Sequence, residues 1–248
     1  MAASLRDRFF VEGVHATGER VAFASDDARK IGTVLRGRSG ERVEVVDSGG
    51  TAWAATLEVD GGRVAATLDE QLDRAPRELG ARVTIAQAIP KGSKMDLIVE
   101  KATELGVAAI VPLRSTRVAG EHTGDAKIER WRRLARTAAQ QCGRSVVPAI
   151  EPVADWAALH ATFAAYDRVY IPWELAEPRP LRATFEAEAA GLRTVLFVIG
   201  PEGGFAAEEV ERARAAGAVP ISLGARILRT ETVALVVLAA FAYARGEL

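Results

Sequence analysis

The sequence predicts an α/β protein in which a small β-rich module precedes a larger domain built on a parallel sheet. Up to about residue 70, short strands alternate with glycine-rich turns, which is the usual pattern of β-hairpins. From Arg82 onward, apolar strands alternate with helices, an order typical of a parallel sheet covered on both faces. The change falls near Leu72-Asp73-Arg74, so we predict domains at residues 1–73 and 74–248.

Size and composition agree with this prediction. The chain has 248 residues, of which 49% are hydrophobic and 26% are charged, as in ordinary globular proteins. It has no run of roughly 18 uncharged apolar residues, and charges interrupt the N-terminus where a signal peptide needs an apolar stretch. The single cysteine, Cys142, excludes an intrachain disulfide and a cysteine-rich zinc site. We therefore expect a cytoplasmic protein without a membrane segment or a metal.

The elements of the first module have local signals. Residues 8–11 form a short apolar strand, and the acidic pair at 26–27 suits the first turn of a helix that runs to about residue 35. Two hairpins follow, with strands at residues 42–46, 51–59 and 63–68.

The larger domain alternates strictly between the two element types. We predict strands at residues 83–89, 108–113, 169–172, 194–199 and 219–222. We predict helices at residues 93–105, 125–142, 154–166, 206–216 and 231–244. The last helix is apolar nearly all round, which is typical of a helix buried in a core or in a subunit interface.

Charge is distributed unevenly along the chain. The net charge of −1 combines −3 over residues 1–72, +6 over residues 73–150 and −4 over residues 151–248. A basic middle between acidic flanks indicates a local anionic partner, although a chance cluster on a solvated face would have the same composition.

Two basic segments carry most of that positive charge. Lys91 and Lys94 stand where a strand leads into a helix, and cations there oppose the helix dipole, so phosphate binding explains them better than helix stability does. Ser93 and Asp96 have the spacing of a capping box, which is a purely structural alternative. In the helix at 125–142, several basic residues lie opposite the apolar face, which indicates either an RNA backbone track or a solvated surface. They are Arg130, Arg133 and Arg136, with Arg144 beyond the helix and Arg117 upstream.

Two glycine-containing junctions predict a ligand site. The stretch I-G-P-E-G-G-F at 199–205 ends a buried strand and leads into a helix, and its three glycines let a ligand approach the backbone closely. The stretch at 222–232 is a second such junction, with Thr230 as a credible N-cap and Glu231 in the first turn of the last helix. Both junctions follow the carboxyl ends of predicted strands, and open α/β sheets bind ligands at the carboxyl edge of the sheet. The motifs of dinucleotide, P-loop and zinc-protease sites are absent.

At these residues the chain resembles the RsmE family, the 16S ribosomal RNA uridine N-3 methyltransferases of the SPOUT class. The resemblance rests on K-G-S-K-M-D-L-I-V-E-K-A-T-E-L-G, Q-Q-C-G-R, I-G-P-E-G-G-F and L-G-A-R-I-L-R-T-E-T, in family order over nearly the whole chain. It implies a PUA-like RNA-binding β-barrel over residues 1–73 and a SPOUT domain with a deep C-terminal trefoil knot. It also implies S-adenosylmethionine in the knot, a homodimer, and 16S RNA of the small ribosomal subunit as substrate. Ala206, Val233, Cys142 and the loop around Arg117 depart from the usual family residues.

The resemblance also implies a set of site residues. Those for the cofactor are Ile171, Pro172, Trp173, Glu174, Gly200, Pro201, Glu202, Gly203, Gly204, Leu223, Gly224, Ile227, Leu228 and Thr232. RNA would lie along the basic residues named above. The catalytic candidates are Arg8, Arg226 and Arg229, which could stabilise a uridine anion. Glu202 or Glu231 could accept a proton or hold the cofactor's amine. The sequence assigns no general base.

Two other functions stay compatible with the sequence. One is a non-catalytic RNA-binding or ribosome-assembly protein that retains the SPOUT fold. The other is a hydrolase or kinase that uses G-P-E-G-G for phosphate, against which stands the absence of a Walker lysine motif and of metal ligands.

Overall fold

A computed structural model describes residues 7–74, 77–114, 124–175 and 181–248. The chain divides into two compact units, Met1–Glu78 with Ala139–Val146, and Leu79–Ala138 with Val147–Leu248. Each unit is built on one sheet and has its own buried apolar residues.

The N-terminal unit contains a mixed five-stranded sheet in the order β1-β3-β4-β5-β2. Its strands are β1 (Arg8–Phe10), β2 (Arg20–Ala22), β3 (Arg42–Val46), β4 (Ala52–Asp60) and β5 (Arg63–Gln71). The β3–β4 and β4–β5 pairs are antiparallel, which confirms both predicted hairpins, whereas β1 runs parallel to β3. The sequence prediction missed β2, because three residues are too few for a recognisable alternation.

The predicted helix of this unit is shorter and less regular than expected. Helix α1 (Ser25–Arg29) continues into a π-helical turn over Lys30–Val34. That turn brings Ile31, which is 1% exposed, into the apolar cluster beneath the sheet.

The C-terminal unit contains a six-stranded sheet in the order β11-β9-β10-β6-β7-β8. Its strands are β6 (Arg82–Ala88), β7 (Ala109–Leu113), β8 (Ala149–Ile150), β9 (Arg168–Pro172), β10 (Thr194–Ile199) and β11 (Val219–Ile221). All the strand pairs are parallel, as predicted. The central strand β10 is buried on both faces, and for this reason its sequence is continuously apolar rather than alternating.

Helices cover both faces of this sheet. They are α2 (Lys94–Glu104), α3 (Asp125–Cys142), α4 (Trp156–His160), α5 (Leu181–Glu188), α6 (Ala207–Ala215) and α7 (Thr230–Ala244). Alternate residues of β10 contribute to two separate apolar clusters, one with α2, α3, α5 and α7 and the other with α4 and α6. Within the described ranges, no helix is long and apolar enough to cross a membrane.

Two predicted helical segments differ from the structure. The helix expected at 154–166 is split into α4, which Asp155 caps by accepting a hydrogen bond from the Ala158 N–H at 2.8 Å, and a 3₁₀ turn over Phe163–Ala165. The prediction missed α5 entirely, because Phe185 is its only buried residue and a single apolar anchor leaves no periodicity.

Helix α7 is apolar on most of its surface, as predicted, but this chain buries only part of it. Leu238 and Phe241 are fully buried against the sheet, Val236 is half-buried and Tyr243 is 76% exposed.

Candidate active site

The two glycine-containing junctions meet at one cavity in the C-terminal unit. The cavity has a volume of about 520 Å³ and lies where β9 and β10 end. It is lined by Lys94, Pro172, Glu174, Ile199, Gly200, Pro201, Glu202, Gly203, Gly204, Phe205, Ile227, Leu228, Arg229, Thr230 and Val233. A recess of about 190 Å³ adjoins it, with Trp173, Leu223, Gly224 and Arg226 among its lining residues. The two junctions meet because the strands are parallel, so that the carboxyl ends of neighbouring strands lie at the same edge of the sheet.

Most residues expected at the cofactor line one of these two spaces. Ile171 and Thr232 do not. Ile171 is fully buried in the apolar cluster on the α6 face, because alternate residues of a strand point to opposite faces of the sheet. Phe205, Arg229, Thr230 and Val233 were not among the expected cofactor residues, although all four line the larger cavity.

Gly204 is the glycine of this loop that the backbone requires. Its φ of +65° is unfavourable for other residues, and a Cβ there would lie 2.8 Å from Glu174 Oε1. At Gly203, by contrast, a Cβ would meet nothing within 4 Å. The loop therefore brings its backbone close to Glu174 at one position and leaves open space at the next.

A buried hydrogen-bond network joins the two junctions, and the sequence analysis did not find it. The hydroxyl of Thr230 donates to the Gly200 carbonyl at 2.6 Å and accepts from Gln87 Nε2 at 2.8 Å. Arg229, not Thr230, occupies the N-cap of α7, so the predicted capping role of Thr230 is wrong. The available signal was Gln87 itself, a fully buried amide in an otherwise apolar segment of β6.

Three ionisable side chains lie together at one side of the cavity, and we call Lys94, Glu202 and Glu231 the charge trio. Lys94 and Glu202 line the cavity, whereas Glu231 lies beside Lys94 without lining it. Lys94 Nζ bonds Glu202 Oε1 at 2.9 Å and lies 3.9 Å from Glu231 Oε2. Burial by itself raises the pKa of the Glu202 carboxyl, but hydrogen bonds from Lys94 Nζ, from its own N–H and from the Lys91 N–H outweigh burial and hold that pKa below its usual range. Glu202 is therefore ionised at neutral pH. The sequence predicts that Lys94 binds a phosphate. In the structure, its ammonium group faces these two carboxylates instead.

The catalytic candidates have different environments. Arg226 and Arg229 are exposed at the rim, and Glu231 is 14% exposed beside Lys94. Arg8 belongs to the N-terminal unit, where its guanidinium bonds the carbonyls of Gly143 and Arg144 and the carboxylate of Glu44. The catalytic role expected of Arg8 does not fit this placement, because its side chain is 8% exposed and both terminal nitrogens already bond other groups.

The predicted capping box of α2 does not form. Ser93 makes no side-chain cap bond, and Asp96 instead accepts hydrogen bonds from Arg130 Nη2 at 2.6 Å and from Trp131 Nε1 at 3.1 Å. The bond to Asp96 raises the pKa of Arg130 and ties α3 to α2. An RNA phosphate would have to compete with Asp96 for Arg130, whose side chain remains 60% exposed.

The other expected RNA contacts also differ in accessibility. Lys91 and Arg133 are exposed and Arg136 is half-buried. Arg144 is 3% exposed and its Nε bonds Glu78 Oε2 at 2.9 Å, so the prediction that it contacts RNA is wrong. A buried guanidinium that is already paired with a carboxylate cannot reach a phosphate. Arg117 lies outside the described residues.

Comparison with known proteins identifies the family. The RNA methyltransferase domain model matches residues 77–242. The ribosomal RNA small subunit methyltransferase E of Bacillus subtilis is 36% identical over 67% of this chain and 68% of its own length, and that of Mycobacterium bovis is 31% identical over 94% and 89%. The crystal structure of the enzyme of this name from Neisseria gonorrhoeae, bound to S-adenosyl methionine, aligns with a TM-score of 0.84 and 29% identity over 96% of this chain and 97% of that one. The chain therefore belongs to the ribosomal RNA small subunit methyltransferase E family.

Proposed function

We propose that this protein transfers a methyl group from S-adenosylmethionine to N-3 of a uridine in 16S ribosomal RNA of the small ribosomal subunit. The observation that carries the proposal is the cavity where two glycine-containing loops meet at the carboxyl edge of the parallel sheet. Family membership supports the reaction class, and the relative that was crystallised with S-adenosyl methionine supports the cofactor. A ribosomal substrate would place the protein in the cytoplasm.

The residues around the cavity fit this cofactor. Its volume of about 520 Å³ lies in the usual range of small-molecule sites, roughly 300–1,000 Å³. Leu228 and Val233 offer apolar contacts, the backbone at Gly203 can be approached closely, and Glu202 supplies a negative charge for a cationic ligand. The cofactor supplies a methyl group activated by a positively charged sulfur.

The protein's part in the chemistry is positioning and electrostatics. Uridine N-3 must lose its proton before it can act as a nucleophile, and donors at the neighbouring carbonyl oxygens stabilise the resulting anion. Arg229 and Arg226 are the exposed guanidiniums at the cavity and its recess. Arg229 can offer paired N–H donors in a planar fork, which a lysine cannot reproduce. Glu202, ionised at neutral pH, is not a proton donor in this scheme.

The finer features of fold and assembly belong to the same proposal. We infer a trefoil knot in the C-terminal unit, a PUA-like RNA-binding role for residues 1–73, and a homodimer formed through α7. The exposed Tyr243 and the half-buried Val236 support the dimer, because an interface on α7 would remove both side chains from contact with water. Lys91, Arg133 and Arg136 remain the basic residues we propose along the RNA.

Methyl transfer to small-subunit RNA tests the proposal directly. Purified protein is incubated with isotope-labelled S-adenosylmethionine and either naked 16S RNA or 30S particles, and the modified base is mapped. We expect labelled 3-methyluridine at one position. Arg229→Lys should lower turnover roughly ten-fold, about 1.4 kcal/mol of transition-state stabilisation, with little change in cofactor affinity.

A matched variant distinguishes the enzyme from a non-catalytic RNA-binding protein. Gly203→Val puts a branched side chain into open space at the cavity, so it should abolish cofactor binding and methylation while RNA binding and the fold persist. RNA binding by wild type without cofactor binding or methyl transfer would favour the ribosome-assembly function instead. Binding of ATP in place of S-adenosylmethionine would favour the hydrolase or kinase.

A further inference from the structure

We propose that the charge trio of Lys94, Glu202 and Glu231 is a charge sensor, which favours the positively charged methyl donor over its neutral product. The inference rests on the proposed function, since it concerns how the same cavity distinguishes S-adenosylmethionine from S-adenosylhomocysteine. It assigns to these three side chains a role in cofactor exchange rather than in the transfer step.

The trio has one positive charge for two negative charges. Lys94 Nζ bonds Glu202 Oε1 at 2.9 Å, whereas Glu231 Oε2 lies 3.9 Å from the same nitrogen, beyond hydrogen-bond range. Among the described residues, that buried Glu231 oxygen accepts no hydrogen bond. A carboxylate oxygen that is buried without a donor is costly, and the positive charge of a ligand in the neighbouring cavity would offset part of that cost at a distance.

The remaining charges at the cavity do not supply the missing cation. Glu174 and Arg229 also line it, and Arg226 lines the adjoining recess. All three side chains are exposed, so water screens their charges. The side chains of Lys94, Glu202 and Glu231 are only 34%, 31% and 14% exposed. The least exposed charges in or next to the cavity, those of the trio, therefore sum to −1.

The two forms of the cofactor differ by one unit of charge. S-adenosylmethionine carries a sulfonium, an ammonium and a carboxylate, for a net charge of +1, whereas S-adenosylhomocysteine has a neutral thioether and a net charge of zero. A sphere of about 520 Å³ has a radius of about 5 Å, so a charge at the centre of this cavity lies about 5 Å from the lining charges, within the Debye length of about 8 Å at physiological salt. The trio should therefore attract the donor, and it should hold the product less tightly once the sulfur has lost its charge.

Two substitutions should shift this preference in opposite directions. Glu231→Gln brings the trio to a net charge of zero and should lower the ratio of the two affinities, donor over product, on the order of ten-fold. Lys94→Met brings the trio to −2 and should raise the same ratio by a similar factor. The double variant has the wild-type net charge and should return toward the wild-type ratio.

Lys101 provides a matched control on the same helix. Its Nζ also lies between two glutamates, bonding Glu100 and Glu104 at 2.8 Å each, and it is not among the residues that line the cavity. Lys101→Met removes the same charge from α2 and should leave the ratio unchanged. Sinefungin carries an amine where the donor has its sulfonium. Its affinity should therefore change from variant to variant as the affinity for the donor does, and not as the affinity for the product does.

The experiment is isothermal titration of each folded variant with the donor, the product and sinefungin at low and at moderate salt. Opposite shifts in Glu231→Gln and Lys94→Met that shrink with salt would support the sensor. An unchanged ratio in both variants, shifts in the same direction, or sinefungin binding with the product's pattern would overturn it. If the wild type binds none of the three ligands, the proposed function itself fails.

Discussion

Replacing Thr230 by valine should disconnect the two loops of the cavity. The substitution keeps the branched shape and removes only the hydroxyl, which bonds the Gly200 carbonyl and Gln87 Nε2 at 2.6 and 2.8 Å. Thr230 is 5% exposed and Gln87 is fully buried. Water therefore cannot readily replace the partner that Gln87 loses.

The expected cost follows from the groups left without partners. An unsatisfied buried polar group costs about 1–3 kcal/mol. Two groups lose the partner that Thr230 supplies, the Gly200 carbonyl and one N–H of Gln87 Nε2, while the other N–H keeps the Ala88 carbonyl at 2.9 Å. Because Gly200 is only half-buried, the summed cost lies in the lower part of its range. Burying the added methyl group returns about 0.8 kcal/mol. We expect Thr230→Val to lower the free energy of unfolding by about 2–3 kcal/mol, a large share of the roughly 5–15 kcal/mol of a typical protein.

Urea unfolding followed by tryptophan fluorescence measures this change, because Trp131, Trp156 and Trp173 all belong to the C-terminal unit. Thr230→Ser is the control, since it keeps both hydrogen bonds and loses only a methyl group, at about 1 kcal/mol or less. Cofactor affinity should fall in Thr230→Val and be nearly retained in Thr230→Ser. A loss below about 0.5 kcal/mol in Thr230→Val, or equal losses in the two variants, would refute the argument.

Three further predictions concern other parts of the two units. Arg144→Met should destabilise the protein by about 2–4 kcal/mol without changing the salt dependence of RNA binding. Arg133→Met should leave stability unchanged and lower the salt slope of RNA binding by about 0.7. Chemical denaturation and RNA titrations at several salt concentrations measure the two effects. Gly204→Ala should lower stability by roughly 1–2 kcal/mol because its φ is positive, while Gly203→Ala should stay within about 0.5 kcal/mol of wild type, and equal melting temperatures would contradict this. The pKa of Glu202 is lowered below its ordinary value of 4.5, so its stabilising contribution is fully present above that pH and is lost as pH falls through the lowered value. Glu202→Gln should therefore lose less stability than wild type on acidification below about pH 4.5, which melting temperatures measured across that window would test.

Long, strongly patterned elements could be predicted from the sequence. The bounds predicted for the helix at 125–142 are those of α3, and the central strand β10 has its predicted ends. These elements depend on the local spacing of apolar residues, which the chain carries wherever it folds. The missed elements are β2, β8 and α5, with three, two and eight residues. In such short segments the hydrogen bonds of the neighbouring strand or the packing of one side chain decides the structure.

The cavity was predictable for a similar reason. Glycines at the exits of parallel strands mark a ligand site before any coordinates exist, and residues 200–204 do line the cavity. The wall that joins the two loops was not predictable, because the Gln87–Thr230 bond links residues 143 positions apart. Nothing in the local sequence of either residue specifies the other.

The arginines show most clearly what the sequence determines and what only the tertiary structure decides. The sequence by itself determined that arginines crowd one side of α3 and that Arg8 opens the first strand. Only the tertiary structure decided which carboxylate each would meet: Glu44 for Arg8, Asp96 for Arg130 and Glu78 for Arg144. Helical periodicity specifies the direction of a side chain but not its partner. Because a guanidinium reaches a phosphate only if no nearer carboxylate holds it, the distinction between structural and RNA-binding arginines appears once distant segments are folded together.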